Sequence, residues 1–338
     1  MIAQLYKKLE YHARIINYLV LTVFCFTFYL YNGMKQMNDK KKGIIMRKRN
    51  ELNYSVILLF SLFIFTALQA QLGRHCLWEL SAGTGRLYFL GSVHVLGESD
   101  YPLDDVIEQA YQASEKLYFE LDMDSVNLPA VQQKIMMAGL MHDQSLKEVL
   151  SDTAYQALDS LLSELGMSID MMQQFKPWLV ASMLTMAKLN TMGINPRFGI
   201  DQYFFGLARE AGKPTGSMES INDQIRCFNA LDANLEEALL IESLYSMDEI
   251  EKEFVNLKEA WKRGNSAFLD SVMNKEMEAF PDLKKVLLDD RNRRWLNRVE
   301  KMIQRQENAL IIVGSGHLVG KGSLIDLLRE KGYTVEQL

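Results

Sequence analysis

Histidine is scarce in this chain: five residues in 338, namely His12, His75, His94, His142 and His317. Two of the five close matching segments. Leu87-Tyr88-Phe89-Leu90 runs into Gly91-Ser92-Val93-His94, and Leu310-Ile311-Ile312-Val313 runs into Gly314-Ser315-Gly316-His317. Each is four residues of buried-strand type followed by Gly-Ser-x-His. Carboxyl ends of strands border the crevice where ligands bind in open α/β sheets, and glycine there allows a sharp turn and close approach of a ligand. Two imidazoles brought to one sheet edge can bind a metal, or can share acid and base roles. The plainer alternative is two unrelated loop histidines. His75 and His142 have no comparable context and read as surface or interface residues.

Acidic residues complete the set. Glu120 sits inside the apolar run Leu117-Tyr118-Phe119-Glu120-Leu121, where a lone charge is unfavourable without a partner. Asp122 has the same parity on an extended chain. Asp201 follows Gly199-Ile200 at the start of a helical stretch, so it serves either the site or the helix dipole. Glu219 follows a short strand at 213–218, with the same two readings. Arg291, in Asp289-Asp290-Arg291-Asn292-Arg293-Arg294-Trp295, is either an oxyanion or carboxylate clamp or an ordinary helix-surface charge.

The elements that must position these residues follow from pattern. Strands are expected at 76–80, 86–90, 117–121, 213–218 and 309–313, with a last one at 333–337. Helices are expected at 102–116, 154–165 (capped by Asp152 and stopped by Gly166), 178–189, 199–212, 235–246, 248–263, 265–279, 282–306 and 322–331. Ser220-x-x-Asp223 reads as a capping box opening another helix. Strands at both ends with helices between predict an α/β (α+β) fold: a central mixed sheet built from the N- and C-terminal parts, flanking helices and a helical insertion.

The first 70 residues differ from the rest. They carry ten Lys/Arg against three Asp/Glu, and the remainder carries 27 basic against 40 acidic residues. A domain that acidic repels phosphate backbones, so no nucleic-acid partner is expected. Two apolar runs, 15–31 and 56–70, flank a basic stretch at 35–49. The expected organisation is an extension at 1–45, which is either untranslated or a marginal membrane segment, then a signal peptide or membrane anchor at 46–70, then one domain at 71–338. The basic stretch stays inside and the second run sends the domain out. The protein is thus expected to be exported: periplasmic, extracellular or anchored with the domain outside the cytoplasm. Of Cys25, Cys76 and Cys227, the last two permit one disulfide or are two buried thiols.

The order of Gly91-Ser92-Val93-His94, Tyr101-Pro102-Leu103, Phe119-Glu120-Leu121-Asp122, Gly199-Ile200-Asp201-Gln202-Tyr203-Phe204, Asp290-Arg291-Asn292 near Trp295, and the closing run from Ile311 to Val335 resembles the TraB/GumN family, which includes the TIKI metalloproteases. The resemblance implies a fold related to erythromycin esterase and ChaN-like proteins. It places the family's two histidines on His94 and His317, its acid on Glu120 and its arginine on Arg291. It also implies a metal-dependent hydrolase, a peptidase, acting on a peptide or protein. His94, Glu120 and His317 would then hold zinc, manganese or cobalt, Arg291 would stabilise an oxyanion, and Asp201 or Glu219 would handle protons. Two alternatives stand beside it. One is a metal-independent esterase-like hydrolase with a histidine base. The other is a non-catalytic protein that sequesters a peptide, for which the many methionines between 136 and 192 would suit.

Overall fold

The computed structural model describes residues 73–338 apart from 127, 246–248, 276 and 278–280. The basic stretch and both N-terminal apolar runs lie outside the described residues. The strands are β1 (Leu77–Ala82), β2 (Gly85–Ser92), β3 (Lys116–Phe119), β4 (Thr215–Ser217), β5 (Asn308–Gly314) and β6 (Val335–Gln337). They form one six-stranded sheet in the order β4-β3-β5-β2-β1-β6. β4, β3, β5 and β2 run parallel, while β1 pairs antiparallel with both β2 and β6. The parallel centre explains the unbroken apolar runs of β2 and β5. Helices cover both of its faces, so Phe89, Leu90 and Leu310 to Val313 are all buried.

Among the described residues ten longer helices surround it: α1 (Asp105–Ala113), α2 (Pro129–Ala138), α3 (Asp152–Glu164), α4 (Pro177–Thr191), α5 (Ile200–Ala211), α6 (Ile221–Asn229), α7 (Ala233–Tyr245), α8 (Ile250–Lys262), α9 (Asp290–Gln304) and α10 (Leu324–Glu330). The expected mixed sheet, flanking helices and insertion are all present. The insertion has a core of its own, with Leu158 and Leu162 of α3 packed with Val180, Ala181 and Leu184 of α4 and Leu240 of α7.

Local details depart from the sequence reading. Ser151, not Asp152, caps α3, because its hydroxyl accepts the Ala154 N–H. Asp104 caps α1, so Pro102 lies ahead of the helix rather than opening it. Ser220 and Asp223 do form the capping box of α6. The long helices expected at 265–279 and 282–306 are interrupted by five-residue π-helical turns at Ser271–Lys275 and Lys285–Asp289. Such turns widen the backbone without a mark in hydrophobic period. Cys76 and Cys227 are both free and buried, so the possible disulfide is not formed.

Candidate functional site

The parallel register brings the site together. Ser92 pairs with Gly314 across β2 and β5, and Phe119 pairs with Ile312 across β3 and β5. Beyond β4, the Glu219 N–H donates to the Glu120 carbonyl at 2.9 Å. Glu219, Glu120, Gly314 and Ser92 therefore leave the sheet at the same edge, side by side. The Ser315 hydroxyl donates to the Ser92 carbonyl at 3.0 Å and ties the two Gly-Ser-x-His loops together. Trp261 of α8 donates its indole N–H to the Gly91 carbonyl at 2.6 Å.

Gly314 is the centre of this arrangement. A Cβ at that position would lie 3.0 Å from Glu120 Oε1, 3.6 Å from His94 Nε2 and 3.7 Å from His317 Cδ2. The two imidazoles and the glutamate, far apart in sequence, thus surround one point, and only a residue without a side chain leaves that point open.

Each ring is held from behind through Nδ1. His94 Nδ1 lies 2.7 Å from Asp201 Oδ2, which also accepts the Ser92 hydroxyl. Asp201 reaches His94 because Gly199 opens α5 directly against the His94 carbonyl, where any Cβ would collide. Burial alone would raise the Asp201 carboxyl. The charge and hydrogen bond of His94, helped by the Ser92 hydroxyl, outweigh burial and hold it below the usual carboxylate range. Ser92, His94 and Asp201 look like a nucleophile triad by residue type. The serine hydroxyl, however, lies 3.4 Å from His94 Nδ1, the same nitrogen that Asp201 holds, and donates to Asp201, so it does not occupy the opposite nitrogen as a triad serine would. His317 Nδ1 lies 2.7 Å from Asn292 Oδ1, and the ring stands 4.4 Å from that of Trp295. His317 is 1% exposed, and its Nε2 is buried without a hydrogen-bond partner. Burial first, then the positive charge of Arg291, keeps this ring well below the ordinary histidine value.

Glu120 and Arg291 are paired with each other. Glu120 Oε1 accepts the Gly314 N–H at 2.6 Å. Its Oε2 accepts from Arg291 at 2.6 Å and from Gln224 at 3.3 Å. Arg291 is 1% exposed and also donates to Glu219 at 2.7–3.1 Å and to the Leu287 carbonyl at 3.0 Å. Burial opposes its charge, but the two glutamates overcome that and drive its pKa well above the ordinary value. Arg291 therefore holds Glu120 and Glu219, and its engaged, buried guanidinium does not reach out to an oxyanion. Glu219 accepts from Arg291 with both oxygens, and burial, outweighing that guanidinium, raises its carboxyl above the ordinary value. Asp122 is exposed and accepts the Asp124 N–H. β3 ends at Phe119, so the parity argument fails past that point. His75 is not a plain surface residue, because its ring is mostly buried and pairs with Asp104 at 3.2 Å. Ser92, Asn292 and Gln224 were not foreseen as site residues. Ser92 lay within the repeated motif and Asn292 within Asp290-Arg291-Asn292, while Gln224 carries no signal in a single sequence.

The donor chemistry fits a metal ion in part. Two imidazoles anchored through Nδ1 present the nitrogens that zinc, manganese or cobalt accept. Glu120 is already taken up by three donors. Among the described residues no group of three or more His, Cys, Asp or Glu is arranged to hold a metal ion.

Comparison with known proteins agrees with the motifs. YbaP of Escherichia coli K12 is 23% identical, over 76% of this chain and 94% of that protein. A protein of Treponema pallidum is 21% identical over 75% of this chain and 80% of its own length. The metalloprotease TIKI homolog of Nematostella vectensis is 25% identical over 77% of this chain, and the match spans 66% of that protein. The match to metalloprotease TIKI1 of Danio rerio spans 60% of its length, at 23% identity. No solved structure matches. The model of the TraB/PrgY/gumN family matches residues 76–337, the whole sheet and both Gly-Ser-x-His loops, and the chain belongs to that family.

Proposed function

We propose that the domain is a metal-dependent hydrolase of peptide bonds that works outside the cytoplasm, with His94 and His317 as the nitrogen ligands. The observation that carries this is the pair of rings meeting around Gly314, each held at Nδ1. The distant metalloprotease relatives support peptide as the substrate class. The basic stretch followed by an apolar run supports export. An ion held there would polarise a carbonyl and lower the pKa of bound water. The chain's own residues have separate tasks. Asp201 fixes the His94 ring and offers it a counter-charge. Arg291 and the Gly314 N–H fix Glu120, whose negative charge stays beside the two rings. Gly314 keeps the space between them open.

The test is to purify the full chain, measure bound zinc, manganese and cobalt, and follow peptide cleavage by mass spectrometry for the wild type, His94→Ala and His317→Ala. Both variants should lose metal and cleavage while keeping the fold. Full metal content and cleavage in both would end the proposal. The His94–Asp201 contact also favours a second reading, in which His94 is a general base on water without a metal. Cleavage that persists after exhaustive chelation would select it. A peptide bound but never cut would select sequestration instead.

A further inference from the structure

Asn292, within the motif Asp290-Arg291-Asn292, has a place in the site that its residue type alone does not disclose. It lies on α9 beside Arg291 and one turn before Trp295, and it is 1% exposed. Its Nδ2 donates to the Gly322 carbonyl at 3.0 Å, in the loop that leads from His317 to α10. The next contact fixes the geometry of that loop: the Gly322 N–H is held by Asp326 Oδ2 at 2.8 Å. Because the amide nitrogen is committed to Gly322, the amide oxygen is the atom that faces His317 Nδ1, 2.7 Å away. An amide oxygen only accepts, so Nδ1 must carry the proton. In a neutral ring the lone pair then sits on Nε2, the atom that is buried without a partner.

We propose that Asn292 is the positioning residue of His317: its amide, oriented by the Gly322 carbonyl, fixes the Nδ1–H tautomer and leaves the lone pair on Nε2, at the ring edge whose Cδ2 borders the space around Gly314. This rests on His317 acting through Nε2, as in the function proposed above. A neutral acceptor suits this position. The neighbourhood already holds Glu120 and Glu219 against the single charge of Arg291, and a third carboxylate would be left without a cation. The His94 ring is fixed at the same nitrogen by a charged acceptor, Asp201. The two rings are thus alike in geometry and unlike in charge. His94 faces a carboxylate oxygen at Nδ1, and His317 faces a neutral amide oxygen there.

The experiment reads the ring nitrogens of the full-length, metal-free protein by 15N NMR at pH 7.5, with the His317 signals assigned by their loss in His317→Asn. The wild type should show a protonated Nδ1 and a bare Nε2 at His317. Asn292→Leu, of similar volume but without an acceptor, should move the ring toward the Nε2–H form. Asn292→Asp, which keeps an acceptor, should retain Nδ1–H. Affinity for added zinc should fall 10–100-fold in Asn292→Leu and change much less in Asn292→Asp. An Nε2–H ring in the wild type, or an unchanged ring in Asn292→Leu, would overturn the proposal. If Asn292→Leu does not fold, the wild-type spectrum decides alone. An Nδ1–H ring in a protein that cleaves nothing would support the role of Asn292 while removing the hydrolase reading.

Discussion

Replacing Arg291 by methionine gives the most direct measure of what holds the site edge. The guanidinium is 1% exposed and bonds two buried carboxylates and one carbonyl. Methionine fills much of the volume but leaves Glu120 with Gly314 and Gln224 as donors, and leaves Glu219 without its cation. Removing one partner from a buried ionic group costs about 3–5 kcal/mol. For a domain of this size that is a fall in Tm of roughly 6–20 °C. The pH dependence carries its own sign. Burial already holds the Glu219 carboxyl above its ordinary value against the pull of Arg291, and without Arg291 its folded pKa should stand further above its unfolded one. Between those values the native state keeps protons that the unfolded state releases, so native stability falls as pH rises. The deficit of Arg291→Met against wild type should therefore be small near pH 5 and large near pH 8. Adding Glu219→Gln should return part of the loss. Thermal unfolding followed by circular dichroism at both pH values reads all of this. A deficit under about 1 kcal/mol, or one equal at both pH values, would refute the view of Arg291 as the buried counter-ion of this edge.

Gly314→Ala should fold, since the backbone there is open to any residue and the added methyl costs about 1–3 kcal/mol of crowding. It should nonetheless lower peptide cleavage at least tenfold, because the methyl occupies the point shared by His94, His317 and Glu120, and cleavage at the wild-type rate would contradict that placement. Glu236→Gln should stabilise the protein at pH 8 by about 2–3 kcal/mol and change little at pH 4.5. Burial pushes the Glu236 carboxyl up to about 7, so its proton is kept on folding and stability is lost as pH rises from the ordinary glutamate value to that one. Equal melting temperatures at both pH values would disprove it. Asp201→Asn should keep the fold and lower cleavage by several orders of magnitude through the wrong His94 tautomer. An unchanged rate would show that His94 is held by other means.

The sheet and its edge were legible because buried parallel strands write continuous apolar runs. Leu87 to Leu90 and Leu310 to Val313 announce themselves, and the glycine that follows marks where each chain turns. The repeat of Gly-Ser-x-His gave the two rings without any structure. What the rings lean on was not legible. Asn292 faces His317 because α9 packs against the segment that follows β5, with Asn292 on Gly322 and Trp295 on the His317 ring, and nothing in a helix's period tells which partner a buried polar residue will meet. The pairing of Glu120 with Arg291 was hidden for a related reason. Sequence shows that a charge inside an apolar run needs a partner, but not that the partner is another protein side chain rather than an ion or a substrate. The π turns at 271–275 and 285–289 were invisible because one extra residue per turn leaves the apolar stripe nearly intact.

The position of β5 has a consequence in time. The strand that lies between β2 and β3 is made last of the three, more than two hundred residues after its neighbour β2. At a synthesis rate of 5–20 residues per second, the ribosome needs on the order of 10–45 s to travel from Ser92 to Gly314. Throughout that interval β2 and β3 have a gap where their common neighbour belongs, and the half-built sheet offers unpaired backbone to whatever it meets. A nascent chain of this topology stays unfinished until β5 emerges, so premature termination anywhere before that strand yields a sheet that cannot close.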